Sequence, residues 1–106
     1  MVEVDVFSAL SNPVRREILM RLRSGPRAAS ELCEGFSIRR PAVSEHLGVL
    51  RRAQLIREEP RGRERYYHLD PRPLSEVEEW LETFKRYWQQ RLQALEDVLD
   101  QEAKKS

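Results

Sequence analysis

Apolar residues recur along this chain at helical spacing in five places and at alternate positions in one, and the switches between the two periods mark its elements. Val6, Phe7 and Leu10 predict a short helix over Glu3 to Leu10. Ser11-Asn12-Pro13 stops it and starts the next, with Asn12 as N-cap and Pro13 at the first helical position. Val14, Ile18, Leu19 and Leu22 form the stripe of that second helix, which Gly25-Pro26 ends. Ala28 to Cys33 predicts a short third helix, closed by Gly35 in the left-handed conformation. Pro41 to Ala53 predicts a fourth, with Val43, Leu47 and Leu50 as its buried stripe and His46 beside them. The opposite side of that wheel carries Pro41, Glu45, Gly48 and Arg52, flanked by Ser44. Leu55 to Glu59 and Glu64 to Leu69 alternate, which predicts a hairpin around Pro60-Arg61-Gly62-Arg63. After the breaker Asp70-Pro71-Arg72-Pro73, a final helix is predicted over Leu74 to Glu102.

Two short helices joined by a tight turn present one of them to a groove, and a ribbon behind them offers a second contact. The expected fold is therefore mainly α: a winged helix-turn-helix with a two-stranded β-hairpin wing and a long C-terminal dimerisation helix. Residues 1–102 are expected to form one such domain, with the helix-turn-helix at 28–53, the wing at 55–69 and a polar tail at 103–106. Residues 74–102 are the expected dimerisation helix. The last helix carries Val77, Trp80, Leu81, Phe84, Trp88, Leu92, Leu95 and Leu99 at steps of three and four. That stripe runs further than a domain of this size can cover, so a homodimer is expected.

Charge sharpens the picture. The net charge is only +1, but it is unevenly spread. Asn12 to Leu69 holds thirteen Arg against seven acidic residues, a net of +6, and the segments on either side are acidic. A basic middle between acidic ends is an electrostatic footprint for a polyanion, and Arg suits phosphate and guanine edges through bidentate bonds. Double-stranded DNA is the expected partner. Arg39, Arg40 and Arg52 surround the fourth helix, and Arg61, Arg63 and Arg65 surround the ribbon tip. With Pro41, Ser44, Glu45 and His46 on the helix, these form the expected DNA-binding set.

Other classes find little support. One cysteine, Cys33, cannot form an internal disulfide, which fits a reducing compartment. The N-terminal stretch lacks the basic n-region and apolar run of a signal peptide, and no apolar window is long enough to span a membrane, so the expected location is the cytoplasm. Ser44 and His46, two apart on a helix, point to different sides and cannot act as a catalytic pair. Glu76, Glu78, Glu79 and Glu82 start the last helix, where carboxylates complement its dipole. No catalytic residue and no cofactor is expected.

Three segments are specific enough to resemble a family. Phe7-Ser-Ala-Leu-Ser-Asn-Pro-Val-Arg-Arg-Glu-Ile-Leu19 resembles the opening signature of the arsenic-repressor-like (ArsR) regulators of bacteria. Arg40-Pro-Ala-Val-Ser-Glu-His-Leu-Gly-Val-Leu50 resembles the recognition helix of that family, and Arg61-Gly-Arg63 with Tyr66-Tyr67 resembles its wing. The segment from Leu69 to Leu99 is similar to a compact, autorepressor-like subgroup without the metal sites of the namesake. The resemblance implies a homodimer packed through its first and last helices, here residues 1–10, with Phe7 and Leu10, and 74–102; the fourth helix would lie in the major groove and the wing along the backbone or minor groove. It also implies repression by promoter occupancy, with release when an inducer binds; no residue here identifies that effector.

The chain departs from the family pattern at three points. Ala28 and Arg39 stand where members usually cap the third and fourth helices with Thr and Ser, so Glu31 keeps only the far half of a capping box. Metal-sensing relatives carry Cys-x-Cys in the third helix; here Gly35 stands in place of the second thiolate. The only histidines are His46 and His68, and the last helix has none, so no metal site is expected. Two other readings stay open: a winged-helix protein-interaction module without DNA binding, and a thiol-based redox sensor using Cys33. Trp80 and Trp88 could line an effector pocket or simply pack.

Overall fold

The computed structural model describes residues 4–105. Within them the chain forms α1 (Val6–Ala9), α2 (Pro13–Leu22), β1 (Arg27–Ala28), α3 (Ala29–Cys33), α4 (Arg40–Arg52), β2 (Ile56–Arg61), β3 (Glu64–Leu69) and α5 (Leu74–Lys105). Two compact units result, the first ending at Ser75 and the second beginning at Glu76.

Local chemistry accounts for most of the boundaries in the first unit. Asp5 caps α1 by accepting from the Phe7 amide at 2.7 Å. Asn12 Oδ1 accepts from the Val14 and Arg15 amides at 2.8 and 3.3 Å, and Pro13 opens α2 as expected. At α3 the Ala28 amide donates to Glu31 Oε1 at 3.2 Å, the surviving half of the capping box. Arg39 caps α4 without a side-chain bond. The C-terminus of α4 is a Schellman turn. Leu55 N–H donates to the Leu50 carbonyl at 3.0 Å and Gln54 N–H to that of Arg51 at 2.9 Å, with Gln54 left-handed at φ +63°.

Several boundaries differ from the sequence expectation. The first helix begins at Val6, not Glu3, which lies outside the described residues; Val4 and Asp5 are not helical. Val6 and Ala9 are its buried face, and Phe7 is exposed. Ala28 is not the first residue of α3 but pairs in β1, where Arg27 lies opposite Tyr67 and Ala28 opposite Tyr66. The ribbon is thus the larger part of a three-stranded antiparallel sheet of order β1-β3-β2. α3 ends on Glu34 in an extended conformation, and the left-handed Gly35 follows it (φ +81°). Arg21 closes the free carbonyls there: its Nη1 donates to Glu34 at 2.5 Å and Leu32 at 3.4 Å, and its guanidinium stacks 4.3 Å over the Phe36 ring. The fourth helix spans Arg40–Arg52, one residue earlier at each end. Pro60 and Arg61 belong to β2, so the hairpin turn shrinks to Gly62-Arg63. The last helix runs on to Lys105, through Ala103 and Lys104 of the expected tail.

Ile18, Leu22, Leu32, Val43, Leu50 and Leu55 are almost wholly buried and form the centre of the core. They come from α2, α3, α4 and the entry to β2, and α2 packs on both α4 and β3. Truncating one of these leucines to alanine costs about 2–5 kcal/mol. The core therefore fixes the helix-turn-helix against the sheet, which leaves the outer side of α4 and the ribbon in solvent.

The second unit is the bulk of α5, which has no buried residue. Its apolar side chains from Trp80 to Leu99 are 41% to 59% exposed. Trp80 and Phe84 pack ring to ring at 5.0 Å, Tyr87 and Trp88 meet edge-on at 5.9 Å, and Arg91 stacks over Tyr87 at 4.6 Å.

A candidate nucleic-acid interface between the fourth helix and the wing

α4 and the ribbon border a cleft of about 470 Å³. The helix contributes Arg40, Ser44, Gly48 and Arg51 to its wall, which are successive residues along one helical face. Arg63 and Arg65 line it from the wing, and Ala29 and Ser30 from the start of α3. Tyr67 forms part of the inner wall; burial raises its phenol pKa above the ordinary value, so it stays protonated. Arg40, Ser44, Arg63 and Arg65 of the expected DNA-binding set are therefore brought together.

The other members of the set are placed differently. Arg39, Pro41, Glu45 and Arg52 are exposed and do not line the cleft. Arg61 pairs opposite Glu64 and so lies on the other face of the ribbon from Arg65. There it stacks 4.3 Å over Tyr66 and ion-pairs with Glu59, whose second oxygen lies 3.4 Å from His68 Nε2. The bond from Arg61 holds the Glu59 carboxyl below its ordinary pKa. His46 is half-buried, and its Nδ1 lies 3.1 Å from Arg15 Nη1.

Among the charged residues of the cleft, sequence reasoning missed Arg51, Glu58 and Glu64. Arg51 is legible in the sequence, because it continues the 40-44-48 line, which lies beside the line through Pro41 and Arg52 on the helical wheel. Glu58 is not, because its role depends on where β2 runs past α4. Its Oε2 accepts from Arg51 Nη1 at 2.7 Å, and its Oε1 pairs with Arg65.

Cys33 is half-buried, and among the described residues no group of three or more His, Cys, Asp or Glu could hold a metal ion. No helix among them is long and apolar enough to cross a membrane.

Comparison with known proteins agrees with this geometry. Residues 10–59 match the family model described as a helix-turn-helix domain. The transcriptional regulator Rv2034 of Mycobacterium tuberculosis is 38% identical over 96 residues, covering 91% of this chain and 87% of the relative. The transcriptional repressor SdpR of Bacillus subtilis is 36% identical over 80 residues, covering 76% of this chain and 89% of that one. A crystal structure of an ArsR-family transcriptional regulator superposes with a TM-score of 0.72 at 34% identity, covering 80% of this chain and 93% of the other. This chain belongs to the ArsR family of transcriptional regulators.

As an ArsR-family member it is a DNA-binding regulator and not an enzyme. The family's winged helix-turn-helix corresponds here to α3, α4 and the β2–β3 ribbon.

Proposed function

We propose that the protein is a homodimeric, cytoplasmic repressor that occupies an inverted-repeat operator. Each protomer inserts α4 into the major groove and sets the β2–β3 wing on the backbone or minor groove beside it. The observation that carries this reading is the shared cleft, where Arg40 and Ser44 of the helix face the same space as Arg63 and Arg65 of the ribbon. A protein-docking wing has no use for guanidinium on both walls. Two facts support the repressor and the dimer. SdpR carries the name of repressor, and the exposed apolar residues of α5, with exposed Phe7 on α1, offer more hydrophobic surface than a monomer ordinarily leaves in water. A two-fold dimer reads half-sites about one helical turn apart, roughly 10–10.5 bp. No metal and no cofactor takes part in this reading.

Selection from a random duplex pool, followed by light scattering of the free protein, tests it. The expected result is a palindromic consensus and a particle of about twice the chain mass. A monodisperse monomer, or a pool that shows no consensus after selection, overturns it.

A further inference from the structure

An acidic side chain in the wall of a cleft built to meet a polyanion needs a reason. Glu58 is such a residue. Its side chain is only 16% exposed, whereas those of its partners Arg51 and Arg65 are 55% and 64% exposed. Its two oxygens are divided between them, one to α4 and one to β3, while Glu58 itself sits on β2. One carboxylate therefore ties the fourth helix to both strands of the wing. It also reduces the local charge of this trio from +2 to +1, in a cleft that Arg40 and Arg63 keep cationic against Glu64, the other acidic residue of the lining.

We propose that Glu58 is a specificity-setting positioning residue, which holds Arg51 and Arg65 to each other and so fixes the wing in register with the fourth helix. The proposal rests on the cleft being the DNA-facing surface. Its physical content is that discrimination is a difference of two affinities. A protein gains it by weakening the wrong complex as much as by strengthening the right one. Two free guanidiniums at this position would bind any phosphate pair within reach, because backbone contacts carry no sequence information. Bound to a partly buried carboxylate, they are withheld from random backbone and kept at a fixed separation from Arg40 and Ser44. Only a duplex whose base edges suit α4 then also satisfies the wing.

The test compares wild-type and Glu58→Gln protein on a duplex selected from a random pool and on a scrambled duplex of the same length, across a series of salt concentrations. Glutamine preserves the shape and removes the charge. Affinity for the scrambled duplex should rise about 5-fold or more at low salt, and the slope of log K against log salt should steepen by about 1–2 as one or two arginines gain phosphates. The ratio of selected to scrambled affinity should fall about 10-fold. A parallel loss on both duplexes with an unchanged slope would mean a merely structural role and would overturn the proposal. Should Glu58→Gln not fold, Arg51→Ala decides: its slope should stay within about half a unit of wild type, because Arg51 is committed to Glu58. A drop of about 1 would show that Arg51 contacts phosphate directly and would equally overturn it. A wild-type protein that binds neither duplex removes the interface reading and the proposal together; a binding wild type with an unaltered Glu58→Gln slope removes the proposal alone.

Discussion

Arg15 of α2 reaches His46 of α4, with Nη1 3.1 Å from the imidazole Nδ1. The same guanidinium donates through Nε to the Ala9 carbonyl at 2.7 Å and through Nη2 to that of Ser8 at 3.1 Å. One side chain thus links the end of α1 to the middle of α4. The contact needs an unprotonated Nδ1, since a guanidinium can only donate. His46 is accordingly held below its ordinary pKa, first by burial and then by the charge of Arg15, with Glu45 opposing both.

This gives a pH dependence with a defined sign. A histidine whose folded pKa is depressed contributes stability that is complete above its unfolded value, near 6.5, and is lost as pH falls through the lowered folded value. Unfolding stability should therefore decline on acidification below about pH 6.5. In an NMR titration His46 should protonate below 6.5. Arg15→Gln should raise that midpoint without bringing it back to the ordinary value, because burial is the larger cause. A His46 midpoint at or above 6.5 in the wild type would refute this account.

The fourth helix and the wing should have separable roles. Arg63→Ala, at the ribbon tip, should weaken binding to all duplexes alike and flatten the salt slope by about 1. Ser44→Ala and Glu45→Ala should change which operator variants are preferred. The expected cost is about 1–3 kcal/mol for a bidentate contact and less for a single bond. Titrations over a panel of operator variants decide the matter: a wing mutant that shifts base preference while the helix mutants do not would reverse the assignment.

Zinc, cadmium and arsenite should leave DNA affinity unchanged. A closed thiolate or imidazole site needs several converging ligands, and Cys33 has no second thiolate in its helix. A stoichiometric, metal-dependent release of DNA that disappears in Cys33→Ser would contradict this.

Gln54→Gly should stabilise the fold by about 0.5–1 kcal/mol. The left-handed conformation penalises a residue with Cβ by roughly 1–2 kcal/mol, and part of the gain is offset by the greater freedom of glycine in the unfolded chain. Chemical denaturation should show a higher midpoint at unchanged m-value. A fall in stability would mean that the Gln54 side chain contributes more than its backbone conformation costs.

Much of the fold was readable because its signals are local. The stripe Val43-Leu47-Leu50 needs only a helical wheel, and Asn12-Pro13 is a helix start whatever surrounds it. The features that escaped depend on distant chain. β1 is two residues long, and nothing in Arg27-Ala28 marks a strand; its pairing with Tyr66 and Tyr67 of β3 creates it. Gly35 is left-handed as its position in the sequence suggests, but the bonds that satisfy the end of α3 come from Arg21, thirteen residues before Glu34. In the candidate site, Arg40, Ser44, Arg63 and Arg65 followed from charge and period. The Arg51–Glu58–Arg65 bridge joins three elements and has no signature in any one of them.

The hairpin remains paired as far as Arg61 opposite Glu64, with only Gly62 and Arg63 beyond, and Gly62 takes φ +60° at the first of those two positions. Such a tip has almost no slack. A long basic loop would have to surrender its conformational freedom each time it settled on a backbone, at roughly 1–2 kcal/mol for every residue immobilised. Here the backbone of the tip is already paired, so at the proposed interface it would meet the duplex as a stiff prong. Lengthening the tip with two glycines would delete no contact, yet it should shorten the lifetime of the complex, because each docking would again have to order a floppy end.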